Sequence, residues 1–391
     1  MGIFSSSKKE GELVLVFDIR SSSVGGTFFW AQKSGVPKII YSIREYITIE
    51  NELNINRLLS LTLKSLEKVA SMMSKKGLGT PSKIFCVLSS PWYVSQTRTI
   101  RLEKDTPFIF TSKFADDLIR KEIVIFEEEY LNRHKKDIEK IEPIELKNMN
   151  INLNGYPTRN PFNQKAKELE MNIFISMSEA KVLESIKTVI NKYFHIENIK
   201  FCSFAMASFT VSRDMFVHQE SFMLVNIGGE ITDISMIKKD VLRESLSYPM
   251  GCNFFVRNGA SELKTTNDEA KSFLSLYKDG HMEKMSLKKI EIVMEKLKME
   301  WLKKFQESLS NITNDISIPA TIFITVDEEL ANFFSDIIKT EEFNQYTLTE
   351  SKFRVIFLGT QSLHGIAIFD RNVPRDAFLI IEAIYINNFL V

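Results

Sequence analysis

Residues 13–30 of this 391-residue chain read LVLVFDIRSSSVGGTFFW, and the turn in their middle decides the fold. Leu13 to Val16 with Phe17 form an apolar run of buried-strand length, which Asp18 ends. A Ser/Gly run, beginning Ser21, Ser22, Ser23, then leads into a second β-branched and aromatic strand. Two readings are open. One is an ordinary β-hairpin with a polar turn. The other is a phosphate cradle, in which a strand-end carboxylate precedes small residues that offer N–H and hydroxyl groups to a metal–phosphate unit.

Composition narrows the classes. The chain is 44% hydrophobic and 26% charged, values of a soluble globular protein, and its length favours two or more subdomains. Fifty Lys and Arg balance fifty Asp and Glu, so no bulk field favours nucleic acid, and no nucleic-acid partner is expected. Cys86, Cys202 and Cys252 lie far apart in apolar surroundings without a CxxC pair, and the five histidines show no ligand spacing. Neither zinc nor haem is expected, and a reducing cytosol fits. No apolar run reaches membrane-span length; the final AFLIIEAIYINNFLV is short and interrupted by Glu382, and reads as a closing core helix. The opening MGIFSSSKK has Gly2 and Ser6 at myristoylation spacing, yet reads first as a flexible basic arm over residues 1–11. It is not a secretory signal.

Along the chain, PKIIYSIREYITI adds a third strand. NINRLLSLTLKSLEKVASMM repeats apolar residues at helical period, and KIFCVLSSPW is a strand ending at Pro91. From Thr97 the character changes to a charged helix (residues 112–140), an Asn-rich turn (148–162) and the strand KELEMNIFISMS. This is an inserted α+β module. The α/β pattern then resumes, and SFMLVNIGGEITDISMIKKDVLRESLSYPMG gives two apolar strands around Gly228, Gly229, Thr232 and Asp233. A Lys-rich amphipathic helix, the strand TIFITV, FRVIFLG and the apolar end follow. Trp30, Trp92 and Trp301 read as packing residues, since no basic groove surrounds them.

Two strand–turn–strand units about two hundred residues apart suit a two-lobed clamp on a nucleotide. DIRSSSVGG resembles the first phosphate loop of actin-like ATPases in the FtsA and PilM branch, DIGSSSVK, and VNIGGEITDISMI resembles their second, DIGGGTTDI. LNGYPTRNPFNQKAKELEMNIFI is similar to the end of the module inserted in those proteins, and YPMGCNFF stands where they have IPxGG. The resemblance implies an α/β, actin-like (ribonuclease H-like) two-lobed fold. The first lobe would cover 12–83 and 178–218 with the C-terminal helix 375–391, and the inserted module 84–177. The second lobe would cover 219–374, with a smaller subdomain at about 253–317. It further implies phosphate loops made of Asp18, Arg20, Ser21, Ser22 and Ser23, and of Gly228, Gly229, Thr232 and Asp233, with Asp18 as the place for Mg²⁺ and ATP as the ligand.

The departures weaken that ligand set. Arg20 stands where the family has Gly, and its Cβ limits backbone approach to a phosphate. Gly25 takes the place of the family's Lys, and Asn226 that of the Asp which organises Mg²⁺ and water; an amide cannot act as a base. Asp327, Glu328 and Glu329 follow TIFITV where relatives have two glycines beside the purine, and Lys271 and Leu274 fall where AExLK approaches the ribose. The expectation is therefore a degenerate site with weak or absent use of ATP and Mg²⁺. What the resemblance implies is a cytoplasmic scaffold at the inner membrane face, held there through envelope-assembly partners and open to self-association, in type IV pilus assembly or cell division. The rivals are a polymerising Mg·ATPase, a small-molecule kinase of the same wider fold and a ligand-free structural protein.

Overall fold

The computed structural model describes residues 11–33, 35–133, 140–196, 198–279, 284–312, 318–340 and 352–390, apart from the side chains of 278–279, 284–287, 328 and 340. Most of the expected N-terminal arm and the expected end of the charged helix (134–139) lie outside these residues.

The chain opens with β1 (Glu12–Ile19), β2 (Ser23–Ala31), β3 (Lys38–Tyr46), α1 (Ile55–Lys75) and β4 (Lys83–Leu88). Asn54 caps α1 by accepting the Arg57 N–H at 3.0 Å, and Leu58, Leu66, Val69, Ala70 and Met73 form its buried stripe. The inserted module follows as β5 (Val94–Phe110), α2 (Ser112–Arg133), β6 (Ile141–Leu153), β7 (Tyr156–Pro157) and β8 (Gln164–Glu179). Return to the first lobe brings α3 (Ala180–Phe194), β9 (Ile199–Ser203) and α4 (Phe204–Met215). The second lobe holds β10 (Phe222–Ile227), β11 (Thr232–Lys238), β12 (Val241–Tyr248), α5 (Cys252–Leu263), α6 (Asn267–Asp279), α7 (Lys284–Ile312), β13 (Thr321–Thr325), α8 (Ala331–Thr340) and β14 (Arg354–Phe357). Then come β15 (Ile368–Phe369) and α9 (Ala377–Leu390).

The two large sheets repeat one plan. The first runs β15-β3-β2-β1-β4-β9 and the second β12-β11-β10-β13-β14. In each, an antiparallel meander of three strands is followed by two strands parallel to the first. Because side chains alternate along β1, Val14 and Val16 face α4 and α9, while Leu13, Leu15, Phe17 and Ile19 face α1 and α3. The cluster beneath α9 also takes in Phe222, Leu224, Leu242 and Phe323, so one apolar core joins the two lobes at their base. Met223, Val225 and Ile227 face a separate core built on α5, α7 and α8, where Trp301 is fully buried. The module has its own sheet, β5-β8-β6-β7, and its own core.

The module departs from the sequence reading in two ways. The Asn-rich stretch is strand as far as Leu153, and its turns are Asn154–Gly155, both at positive φ, and the segment 158–163 that follows the short β7. Asn148, Asn150 and Asn152 alternate along β6, and Asn150 accepts from Asn172 Nδ2 at 2.6 Å, so the amides pair across strands rather than break them. Residues 94–110 are one long charged strand, which no apolar alternation announced. The sheet that contains β1 also takes in β4, and its far edge takes in β15, so 84–88 and 368–369 belong to the first lobe's sheet.

Candidate functional site

Asp18 is the penultimate residue of β1, and the register places it beside Gly25 of β2, which in turn faces Arg44 of β3. The missing side chain at Gly25 lets Arg44 reach across; a Cβ there would stand 2.9 Å from its Nη2. Arg44 Nη2 donates to Asp18 Oδ2 at 2.7 Å, Nη1 to Ser23 Oγ at 2.9 Å, and Nε and Nη2 form a fork on Asp376 at 2.6 and 3.0 Å. So the cation expected to be lost at position 25 is supplied from the next strand. Gly26 answers a different demand, since a Cβ there would collide with Val69 and Met73 of α1.

This row is buried, which sets its charges. Burial pushes the Asp18 carboxyl up from its ordinary value, against the pull of Arg44 and Arg20. Burial also opposes the charge of Arg44, but the Asp376 and Asp18 carboxylates outweigh it and hold the guanidinium well above its usual value. Asp376 is driven the other way from Asp18: burial raises it, yet Arg44 pulls it below its ordinary value. Glu382 of α9 is wholly buried and faces Asp18, and burial lifts its carboxyl well above the normal range. The Asp18 charge adds to that rise, so two acids meet in the buried row.

Arg20 does not point at a cradle. Its guanidinium carbon lies 3.5 Å above the centroid of the Phe378 ring on α9, and Nη1 donates to Asp327 Oδ1 at 3.0 Å in the second lobe. Only 1% of Arg20 is exposed.

The two loops meet directly. Ser21 Oγ accepts the Glu230 N–H at 3.0 Å, and a Cβ on Gly229 would stand 2.9 Å from Ser22 N. Two further loop N–H groups turn inward: Arg20 to Ser23 O and Gly228 to Ile231 O. At the start of α5, the Cys252 and Asn253 N–H groups donate to Gly228 O and Gly229 O, each at 2.8 Å, so that helix terminus is also satisfied by protein. The Glu230 carboxylate accepts from Asn253 and from both terminal nitrogens of Arg257.

Asn226 and Asp233 face each other across β10 and β11. Asp233 accepts from Ser247 Oγ at 2.6 Å, Ser90 Oγ at 2.8 Å and Asn226 Nδ2 at 3.2 Å, while Asn226 Oδ1 accepts from Thr325 Oγ1. Burial raises the Asp233 pKa, and the three neutral donors counter it. Thr232 Oγ1 is spent on Met250 O.

The expected loop residues thus lie at one cleft, and most of them are taken by other groups of the protein, though Ser22 Oγ is buried without a partner. A phosphate placed between Gly229 and Ser22 would need the loops to part, and a cation on Asp18 would have to displace Arg44 and meet Glu382. As they stand, these residues do not fit Mg·ATP. Lys271 Nζ lies 5.6 Å from the ring of Tyr46, and Leu274 is buried in the second lobe's core. Sequence reasoning missed Arg44, Asp376, Glu382, Phe378, Ser90 and Ser247. The Gly-Gly pair inside β2 was a readable sign of close approach; the partner that approaches was not.

A second concavity, of about 360 Å³, lies between β6 and β9, the edge strand of the first sheet. Phe85, Phe201 and Phe389 line it together with Lys147, Lys187 and Lys200. Lys147 and Lys200 stand 4.4 and 5.4 Å from the Phe389 ring. Glu145 turns away from it, accepting the Ser203 N–H at 3.0 Å, the Ser203 hydroxyl and the Tyr385 hydroxyl.

Among the described residues no helix is long and apolar enough to cross a membrane, and no group of His, Cys, Asp and Glu has metal-site geometry. No family model and no curated protein sequence matches the chain. Solved structures do. A PilM–PilN type IV pilus biogenesis complex matches with a TM-score of 0.62 at 10% identity, over 96% of this chain and 97% of that one. A Bacteroides thetaiotaomicron protein with an actin-like ATPase fold and unknown function matches at TM-score 0.37 and 9% identity, covering 98% and 99%. The ethanolamine utilization protein EutJ from Carboxydothermus hydrogenoformans matches at 0.42 and 10%, covering 97% and 89%. The duplicated sheet plan and the likeness to the PilM–PilN complex agree: the chain has the actin-like fold with an inserted α+β module.

Proposed function

We propose that this protein is a cytoplasmic scaffold of the FtsA/PilM branch that works at the inner membrane face. In this reading it recruits envelope machinery, in type IV pilus assembly or cell division, and makes weak or no use of ATP. The contact that carries this reading is Ser21 Oγ with the Glu230 N–H, where two loops that would straddle a nucleotide's phosphates bind each other. Binding there has to break protein contacts before it makes any with a ligand, which lowers affinity by the cost of opening. The solved PilM likeness is itself a complex with a second protein, and that supports a partner-holding role.

The groove between β6 and β9 is the surface we assign to the partner. An edge strand offers backbone groups, the exposed Phe389 ring offers apolar contact, and lysines flank it; the occupant that fits is an extended segment mixing apolar and acidic residues. The test is calorimetric titration with ATP, with and without Mg²⁺. No heat at millimolar nucleotide is expected; micromolar, Mg²⁺-dependent binding would overturn the reading in favour of a polymerising ATPase. Membrane-fraction recovery from the native host, abolished by Lys147→Glu with Lys200→Glu, checks the partner half. Recovery equal to the unaltered protein would remove the groove from the proposal.

A further inference from the structure

The lobes share an apolar core at their base, but across the cleft they are held by polar contacts. Among the described residues these include Ser21 with Glu230, Ser90 with Asp233, Arg257 Nε with Glu50 O at 3.0 Å, Asn267 Nδ2 with Ile49 O and Asn51 Oδ1, and Arg20 with Asp327. The last differs in kind. Of these it alone joins two full charges, and one of them is fixed by its own lobe before it crosses. Phe378 lies under the Arg20 guanidinium and α9 belongs to the first lobe, so Nη1 is presented to Asp327 with little rotamer freedom left to lose. Arg20 is 1% exposed and Asp327 27%, so the pair is barely screened by salt. Separating the lobes would strip a desolvated cation of its counter-charge, the costly way to break a buried pair.

We propose that the Arg20–Asp327 ion pair, seated on Phe378, is a built-in latch that holds the two lobes closed in place of a bridging ligand. The latch goes beyond the scaffold reading and needs neither nucleotide nor partner. It makes the closed cleft the ground state. Whatever opens the protein must compete for Asp327 or lift α9 away from Arg20.

The chain carries its own reporter. Cys252 begins α5 beneath the second loop and is buried, with Asp327, Arg20 and Glu230 all near enough to act on its thiol electrostatically. Cys86 is fully buried in the first lobe and Cys202 lines the groove beside β9, away from the cleft, so opening of the cleft should leave both labelling rates unchanged. The experiment is peptide-resolved alkylation of the full chain with iodoacetamide, followed by mass spectrometry. It compares the unaltered protein, Asp327→Asn, Arg20→Ala and the double variant. Each single change is expected to speed Cys252 labelling at least about tenfold, the effect of a 1.4 kcal/mol shift in the open–closed balance. Labelling of Cys86 and Cys202 should not change, and the double variant should label no faster than the faster single, because both changes break one contact.

Unchanged Cys252 labelling in Asp327→Asn would overturn the latch, and that variant, altered at a partly exposed position, gives the answer even if Arg20→Ala fails to fold. Equal acceleration at all three cysteines would overturn it too, by showing loss of fold rather than opening. So would rates that multiply in the double variant.

Discussion

Replacing Arg44 with methionine removes one cation from between two carboxylates. The guanidinium makes four hydrogen bonds, to Asp18, to Ser23 and twice to Asp376. Charge-assisted bonds at about 1.5–3 kcal/mol each would sum to an implausible total. The carboxylates can escape by taking up protons, so the better measure is the cost of breaking a buried pair, about 3–5 kcal/mol. With a urea dependence of about 3 kcal/mol/M, the unfolding midpoint should fall by about 1–1.7 M near pH 7.5. The pH profile gives the sharper test. In the unaltered protein Arg44 holds Asp376 below its ordinary value, so that carboxylate's contribution is full above the unfolded pKa and is lost as pH falls through the depressed one. Without Arg44, Asp18 and Asp376 have raised values in the folded state, which then binds protons that the unfolded chain has released. Stability of the variant therefore rises on acidification, and the gap to the unaltered protein narrows toward pH 4.5. Urea titrations monitored by circular dichroism at several pH values measure it. A midpoint loss under about 0.3 M at pH 7.5, or a gap that does not change with pH, would refute the assignment.

Asn226→Asp restores the family's carboxylate but sets it against Asp233, whose Oδ2 already takes the Asn226 amide at 3.2 Å. It should destabilise the fold by about 3 kcal/mol at neutral pH, with relief on acidification as one acid takes a proton, and should yield no ATPase activity. Gly229→Ala puts a Cβ 2.9 Å from Ser22 N and should lower stability by about 1–3 kcal/mol in chemical unfolding; a neutral effect would mean that the loops are already apart in solution. Glu382→Gln keeps the shape and removes a buried acid whose folded-state pKa is raised, a group that loses stabilising effect as pH rises. In urea unfolding the variant should therefore gain stability relative to the unaltered protein as pH is raised; a pH-independent difference would contradict this.

The fold was legible because the two phosphate-loop stretches preserve backbone demands in order. Gly228, Gly229 and Gly251 remain where main chains nearly touch, and a Cβ at Gly251 would stand 2.4 Å from Gly228 O. Period and length placed α1, α3 and α9 for the same reason: each buries a stripe or a whole surface. The site was legible only as a set of absences. Arg20, Gly25 and Asn226 told of lost contacts, but the replacements come from elsewhere in the chain, Arg44 by strand register and Asp376, Phe378 and Glu382 by the packing of α9. Those are tertiary facts, and no local spacing carries them. The long strand at 94–110 escaped for a related reason, since an edge strand with few buried side chains has no alternation to read.

The duplicated sheets show that the changes act together. Asp18 and Asn226 occupy equivalent places, each the penultimate residue of its sheet's first strand, and each faces the second strand at an equivalent position, Gly25 and Asp233. In a nucleotide clamp these places would turn carboxylates toward a shared cation. Here the first lobe's acid is neutralised from β3 by Arg44 and the second lobe's acid is held by three uncharged donors, one of them Ser90 from across the cleft. Asp18 keeps one oxygen, Oδ1, without a hydrogen-bond partner, while both oxygens of Asp233 are taken, and the ion pair that crosses the cleft, Arg20 with Asp327, is protein-borne at both ends. Loss of one ligand contact by drift would leave a buried orphan, which is costly. Arg44, Ser247, Ser90 and Asp327 each supply a partner here, while Arg20 Nε and Nη2, Asp18 Oδ1 and Ser22 Oγ are buried without one. A ligand entering between the loops would have to break the contacts that cross the cleft, which are the ones the proposed latch adds to.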